Sequence, residues 1–191
     1  MKGEWCYFKS FFDKTTCEKI INDALKLPAQ DALVGINGNE KLNLDGRRSK
    51  IRFINKDDPN FTYLFDILWK TAISANHDFF NIHISKLDFI QFAEYDSSYK
   101  GEYKEHQDVF WLNNDPNYHR KLSAIIQLSD PFTYQGGNFE MIETETVPPE
   151  HDVRQQGTIF YFPSFFKHRA NQVISGKRYS IAAWFEGPKW R

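Results

Sequence analysis

The chain has 191 residues and a net charge of −1, with 24 Lys and Arg against 25 Asp and Glu. That length suits one domain with a sizeable core, and the balanced charge argues against a nucleic-acid or membrane partner. Aromatic residues make up 17% of the chain, which favours strands. Cys6 and Cys17 form neither a disulfide framework nor a metal pattern, and no signal peptide or run of transmembrane length is visible, so the expectation is a cytoplasmic protein with reduced thiols.

In DKTTCEKIINDALKLP, Thr15 and Glu18 fit a capping box, and Cys17, Ile20, Ile21, Ala24 and Leu25 recur on one helical face until Pro28 stops the run. Next, GINGNEKLNLDGRRSKIRFI holds the turn signals Asn37-Gly38 and Asp45-Gly46 and reads as a loop and hairpin region. A second helix is expected in DDPNFTYLFDILWKTAISAN, where Pro59 suits the first turn and Phe61, Leu64, Phe65, Leu68, Trp69, Ala72 and Ile73 form a wide apolar stripe. From about residue 85 the pattern changes to short apolar and alternating runs, among them KLDFIQFAEY, KLSAIIQLSD, GTIFYFP and KRYSIAAWFE, which suggest a β-sandwich or barrel. The reading is a single domain, with a helical support region over 1–84 and a β-core over 85–191.

Within EYKEHQDVFW, His106 and Asp108 stand two residues apart, so at the end of a strand both point to one face. Two imidazoles and one carboxylate around open positions is the arrangement of non-haem Fe(II) oxygenases, and it requires a second histidine. His77 and His83 lie around the end of the second helix, His119 falls in a polar loop and His151 between two strands, and each reads as a solvated or structurally bonded histidine. His168 opens a strand expected to run beside that of His106, which makes it the best third ligand. Ten residues further, Arg178 and Ser180 share a strand face and could hold the remote end of a dicarboxylate; a surface ion pair is the alternative for Arg178.

Taken in order, YDSSYKGEYKEHQD, LSAIIQLSDPFTYQGGNFEM, GTIFYFPSFFKHRANQV and GKRYSIAAWF resemble the iron and 2-oxoglutarate dependent dioxygenases, over about residues 87 to 187. Within them the chain looks most like the prolyl 4-hydroxylase-like branch, which includes the PKHD-type hydroxylases. The resemblance implies an α+β, mainly β fold: a double-stranded β-helix, or jelly-roll barrel, with N-terminal helices packed on the major sheet. It implies Fe(II) ligation by His106, Asp108 and His168, with Arg178 meeting the C5 carboxylate of 2-oxoglutarate and completing the catalytic set. Ser180 matches a residue that supports that carboxylate, Tyr95 a tyrosine lining the co-substrate pocket, and Gln127 stands roughly where several relatives place another tyrosine. Many collagen-type relatives carry Lys where this chain has Arg178.

The implied reaction consumes O2, releases succinate and CO2, and hydroxylates an unactivated C–H bond, with ascorbate as a possible reductant. A prolyl residue in a peptide or protein is the favoured substrate. The alternatives are a free amino acid or small metabolite, or a non-enzymatic jelly-roll binding module. Arg47, Tyr99, Trp111 and Trp184 are the candidate substrate contacts. Nucleobase demethylation is disfavoured, because relatives that perform it carry a second Arg where this chain has Trp184. A monomer or homodimer is expected.

Overall fold

The computed structural model describes residues 1–33, 43–109 and 118–190. In chain order the elements are β1 (Cys6–Phe8), α1 (Lys14–Ala24), β2 (Gln30–Asp31), β3 (Arg47–Arg48), β4 (Lys50–Asn55) and α2 (Thr62–Ala75), which runs into a π-helical turn at Asn76–Phe80. They continue as β5 (Phe89–Asp96), β6 (Glu102–His106), β7 (His119–Gln127), β8 (Tyr134–Gly136), β9 (Phe139–Met141), α3 (Glu150–Val153), β10 (Ile159–Pro163), β11 (His168–Ala170) and β12 (Val173–Gly187). Among the described residues the strands make two antiparallel sheets. The major sheet runs β1-β10-β7-β12-β5-β4-β2, with β8 on the first part of β12, and the minor sheet runs β3-β6-β11-β9.

Strand alternation explains how one sheet serves two purposes. On one face of the major sheet, Leu122, Ala124 and Ile126 of β7, Ile181, Ala183 and Phe185 of β12, and Ile90 and Phe92 of β5 join Leu64, Leu68 and Ala72 of α2 in the main core. Cys17, Ile20 and Ala24 of α1 enter the same core. The intervening residues, among them Ser123, Gln127, Arg178, Ser180 and Trp184, are also buried but lie on the opposite face, between the two sheets. Helix and sheet are further tied by the Tyr161 hydroxyl, 2.7 Å from Thr71 Oγ1 and donating to the carbonyl of Leu68 at 3.1 Å.

This is the expected mainly β architecture with helices on the major sheet, corrected in several details. Helix α1 is capped by Asp13, whose Oδ1 accepts from the Thr16 amide at 2.7 Å, and not by the Thr15–Glu18 box. A carboxylate one residue before the first helical position meets the orphan amide directly, so the earlier of two capping residues prevails. Helix α2 begins at Thr62, beyond Pro59. The region before residue 85 is not helical throughout: β1, β2 and β4 extend the major sheet and β3 the minor one. Of the two turn signals, Asp45-Gly46 forms a turn on the Asn43 side chain, whose Oδ1 accepts from both amides at 3.1 Å, while Asn37-Gly38 lies outside the described residues. His119 is a buried strand residue at the start of β7, paired with Gly187 of β12, and does not sit in a loop. His151 lies in the short helix α3. None of the described helices is long and apolar enough to cross a membrane.

Candidate metal centre and its cavity

The candidate ligand set is built by the minor sheet. His106 closes β6, His168 opens β11, and the two are direct antiparallel partners, which brings their rings to 4.2 Å between centroids. Asp108 follows β6 by two residues, and its backbone amide donates to the Ser164 carbonyl at 3.0 Å, turning the chain back so that the carboxylate faces both imidazoles. Asp108 Oδ1 lies 3.7 Å from His106 Nε2 and Oδ2 lies 3.6 Å from His168 Nε2. One ligand atom from each of the three residues falls within 4.8 Å of the others.

Protonation follows from the hydrogen bonds. Each imidazole has a carbonyl acceptor at Nδ1, Lys104 at 2.7 Å for His106 and Phe166 at 3.1 Å for His168. A carbonyl can only accept, so Nδ1 carries the proton and the Nε2 lone pairs are left toward Asp108. Burial, reinforced by the adjacent His168, pushes the His106 pKa down to about 3, so this imidazole is neutral, with a lone pair available to a metal, rather than half of an ion pair. Burial by itself would raise the Asp108 carboxyl, but the charge of Arg120 and the hydrogen bond from the Ser123 hydroxyl help to hold it below the usual carboxylate range. Ser123 Oγ donates to Asp108 Oδ2 at 2.6 Å and lies 2.9 Å from Ser164 Oγ. A carboxylate with one oxygen occupied and two imidazoles with fixed tautomers is a donor set suited to a divalent iron.

These ligands line a cavity of about 350 Å³ between the sheets, within the usual range for small-molecule sites. Arg178 enters it from β12. It is 2% exposed, and among the described residues no carboxylate lies within ion-pairing distance. Its Nε donates to Gln127 Oε1 at 3.1 Å, Nη1 lies 3.4 Å from Ser180 Oγ, and the guanidinium sits 5.4 Å from the Tyr95 ring. Gln127 in turn donates through Nε2 to the Tyr134 hydroxyl at 2.7 Å. Beneath Arg178 the chain turns at Gly136 and Gly137, both with positive φ, and a Cβ at Gly137 would come within 2.9 Å of Val173 Cγ2 and 3.2 Å of Arg178 Cδ.

Of the residues singled out in the sequence, His106, Asp108, His168, Arg178, Ser180, Tyr95, Arg47 and Trp184 all line this cavity. Gln127 stands behind Arg178 rather than on the cavity wall. Tyr99 does not reach it: its hydroxyl donates to the Glu94 carbonyl at 3.0 Å, and it borders a separate depression beside Arg48. Trp111 lies outside the described residues. Sequence reasoning missed Ser123, Tyr103, Gln91 and Arg120. The period-two rule applied to KLSAIIQ would have found Ser123, since it shares a face with Gln127.

The profile of the family described as the 2OG-Fe(II) oxygenase superfamily matches residues 90–186. A PKHD-type hydroxylase of Aliarcobacter butzleri is 27% identical over 177 residues, covering 90% of this chain and 72% of that protein. A prolyl-4-hydroxylase of Pseudomonas putida superposes with a TM-score of 0.72 at 16% identity, covering 98% of this chain and 94% of the other. A prolyl hydroxylase of Trichoplax adhaerens, solved with a hypoxia inducible factor peptide fragment, gives 0.74 at 18% identity, covering 96% and 83%. The structural likenesses identify the double-stranded β-helix. The family match spans β5 to β12 and more than half the sequence: this chain belongs to the 2OG-Fe(II) oxygenase superfamily and is a 2-oxoglutarate-dependent dioxygenase.

Proposed function

We propose that this dioxygenase hydroxylates a prolyl residue within a peptide or protein, with conversion of 2-oxoglutarate to succinate and CO2. The observation that carries the reading is the meeting, in one cavity, of a three-residue ligand set with a buried guanidinium whose charge no described carboxylate cancels. His106 Nε2, the Asp108 carboxylate and His168 Nε2 would hold Fe(II), which together with 2-oxoglutarate supplies the O2 activation that no side chain provides.

The residues of the chain do the rest. The carbonyls of Lys104 and Phe166 hold the Nδ1 protons, and Ser123 fixes the Asp108 carboxylate. Arg178 donates to the C5 carboxylate of 2-oxoglutarate, with the Ser180 hydroxyl beside it, and Gln127 keeps the guanidinium oriented. Ile125, Phe139 and Ala182 give the cavity an apolar lining that excludes water from the reacting carbon. A peptide substrate is favoured by the Trichoplax relative, which was solved with one.

The test is to supply anaerobically purified protein with Fe(II), ascorbate and 2-oxoglutarate, admit O2, and follow succinate and peptide mass over a panel of proline-containing peptides. Peptide-dependent succinate with a one-oxygen mass gain, lost in Asp108→Ala and reduced in Arg178→Ala, is expected. Succinate without a modified peptide would remove the prolyl-peptide assignment. Absence of both succinate and 2-oxoglutarate binding would overturn the oxygenase site.

A further inference from the structure

Charge in the cavity is unevenly supplied. Among the described residues, four of those lining it are arginines, Arg47, Arg120, Arg169 and Arg178, and one, Asp108, is an acid. Arg169 is exposed and bonded through Nε and Nη2 to Glu140 at 2.8 and 2.6 Å. On the assignment above, a divalent ion, Asp108, Arg178 and a dianionic co-substrate sum to neutrality. Arg47 stands outside that balance.

Arg47 is held in a way that preserves its charge. It is 7% exposed, enters from β3 of the minor sheet, and faces the cavity from the sheet opposite to Arg178. Its Nε donates to Ser49 Oγ at 2.8 Å and its Nη2 to Gln91 Oε1 at 2.7 Å, both neutral acceptors. The guanidinium lies over the Tyr103 ring at 4.3 Å, and Tyr103 stacks on the His106 ring at 3.5 Å. No carboxylate among the described residues pairs with it, and its Nη1 has no hydrogen-bond acceptor there. Two neutral acceptors and a ring fix the fork in place while leaving its full charge uncancelled by the described residues, at the wall of the cavity and one ring away from His106. A buried cation of this kind is costly unless an anion meets it in the working complex.

We infer that the substrate presents a carboxylate to Arg47, beside the carbon that is hydroxylated. The inference rests on the proposed oxygenase reading and narrows its substrate class to acidic molecules. The carboxylate has two possible sources, an Asp or Glu side chain next to the target residue in a peptide, or the free α-carboxylate of a terminal or unlinked amino acid.

The test uses the Fe(II)-loaded protein with 2-oxoglutarate under anaerobic conditions and measures binding of matched probes by calorimetry. One pair is a capped Pro-centred tetrapeptide with Asp or Asn on either side of Pro; the other is N-acetylproline and its amide. The acid member of at least one pair should bind about tenfold or more tightly than its amide, as hydrogen bonds to a charged group warrant. Arg47→Gln should bring the ratio close to one. Gln91→Glu should do the same while preserving shape, because it places a carboxylate on Arg47 where an amide now stands, and it serves if Arg47→Gln fails to fold. A response confined to the peptide pair identifies an acidic side chain as the source; one confined to acetylproline identifies an α-carboxylate. No acid preference in either pair, including no binding by any probe, overturns the inference, as does a preference that survives in Gln91→Glu. Binding of 2-oxoglutarate, read in the same samples, separates this failure from failure of the oxygenase site, since the latter would abolish that signal as well.

Discussion

Arg47 and Arg52 leave the chain five residues apart and meet opposite treatment. Arg52 lies on the helix-facing side of β4, where Nη1 donates to the buried Glu94 carboxylate at 3.0 Å, so its charge is cancelled within the fold. Arg47 and Arg178 point between the sheets, and each is held by a glutamine oxygen, Gln91 at 2.7 Å and Gln127 at 3.1 Å. The same contrast runs along the strands, where Leu122, Ala124 and Ile126 close the core and Ser123 and Gln127 serve the cavity. On the outer face burial and neutralisation favour folding. On the inner face, charge and unfilled valence are left for ligands, at a cost in stability that the apolar face offsets.

The largest break in this comparison should come from Asp108→Ala. Loss of the candidate anionic ligand should abolish Fe(II)-dependent turnover while lowering the melting temperature of the apo protein only modestly, because the hydrogen bond from Ser123 goes with the carboxylate but the apolar core is left intact. Succinate release and a thermal melt of the apo protein check both halves, and turnover near the parental rate would remove the site assignment. The outer face should show the reverse. Leu68→Ala, at a fully buried position of α2, should cost about 2–5 kcal/mol in chemical denaturation. In the folded fraction 2-oxoglutarate affinity should be unchanged, and a parallel loss of affinity would show that the two faces are not separable.

A smaller effect is expected from Ser123→Ala. Its hydroxyl donates to Asp108 at 2.6 Å and does not touch the ion position, so metal affinity should fall roughly 10- to 100-fold, the usual cost of losing a partner that orients a ligand. Competition with a fluorescent chelator measures it, and an unchanged affinity would mean that the hydrogen bond from the Asp108 amide to the Ser164 carbonyl alone fixes the carboxylate.

Legibility in the sequence follows the same division. The outer face was readable because apolar periodicity reports burial directly, as in the α2 stripe from Leu64 to Ala72. His106, Asp108, His168 and Arg178 were readable because their spacing and order survive as a pattern. The supports were not: Gln91 and Ser49 reach Arg47 from different segments, and a glutamine that bonds an arginine looks in sequence like any solvated one. Strands β1 and β2 have three and two residues, too few to carry a period. His119 was hidden by the polar run NNDPNY before it, although its pairing with Gly187 makes it part of β7.

Gln127 offers the finest test, because it can be changed in two directions that separate charge from contact. Arg178 Nε can only donate, so the amide oxygen must face it, and Nε2 is then committed to the Tyr134 hydroxyl. In Gln127→Glu one carboxylate oxygen still accepts from Arg178 and the other accepts from Tyr134, whose hydroxyl rotates to donate. Every partner stays satisfied, but the guanidinium is now neutralised. Stability should hold within about 1 kcal/mol, and 2-oxoglutarate affinity should fall roughly tenfold, as a charged anchor becomes a cancelled one. Gln127→Leu leaves both Arg178 Nε and Tyr134 without that partner, so stability should drop by about 1–3 kcal/mol while the anchoring charge survives and affinity falls less. Calorimetric titration of 2-oxoglutarate and thermal melts on the two variants measure both quantities. If Gln127→Glu binds the co-substrate as the parent does, the amide has no role in keeping the anchor charged, and the contrast between Arg178 and Arg52 carries no functional meaning.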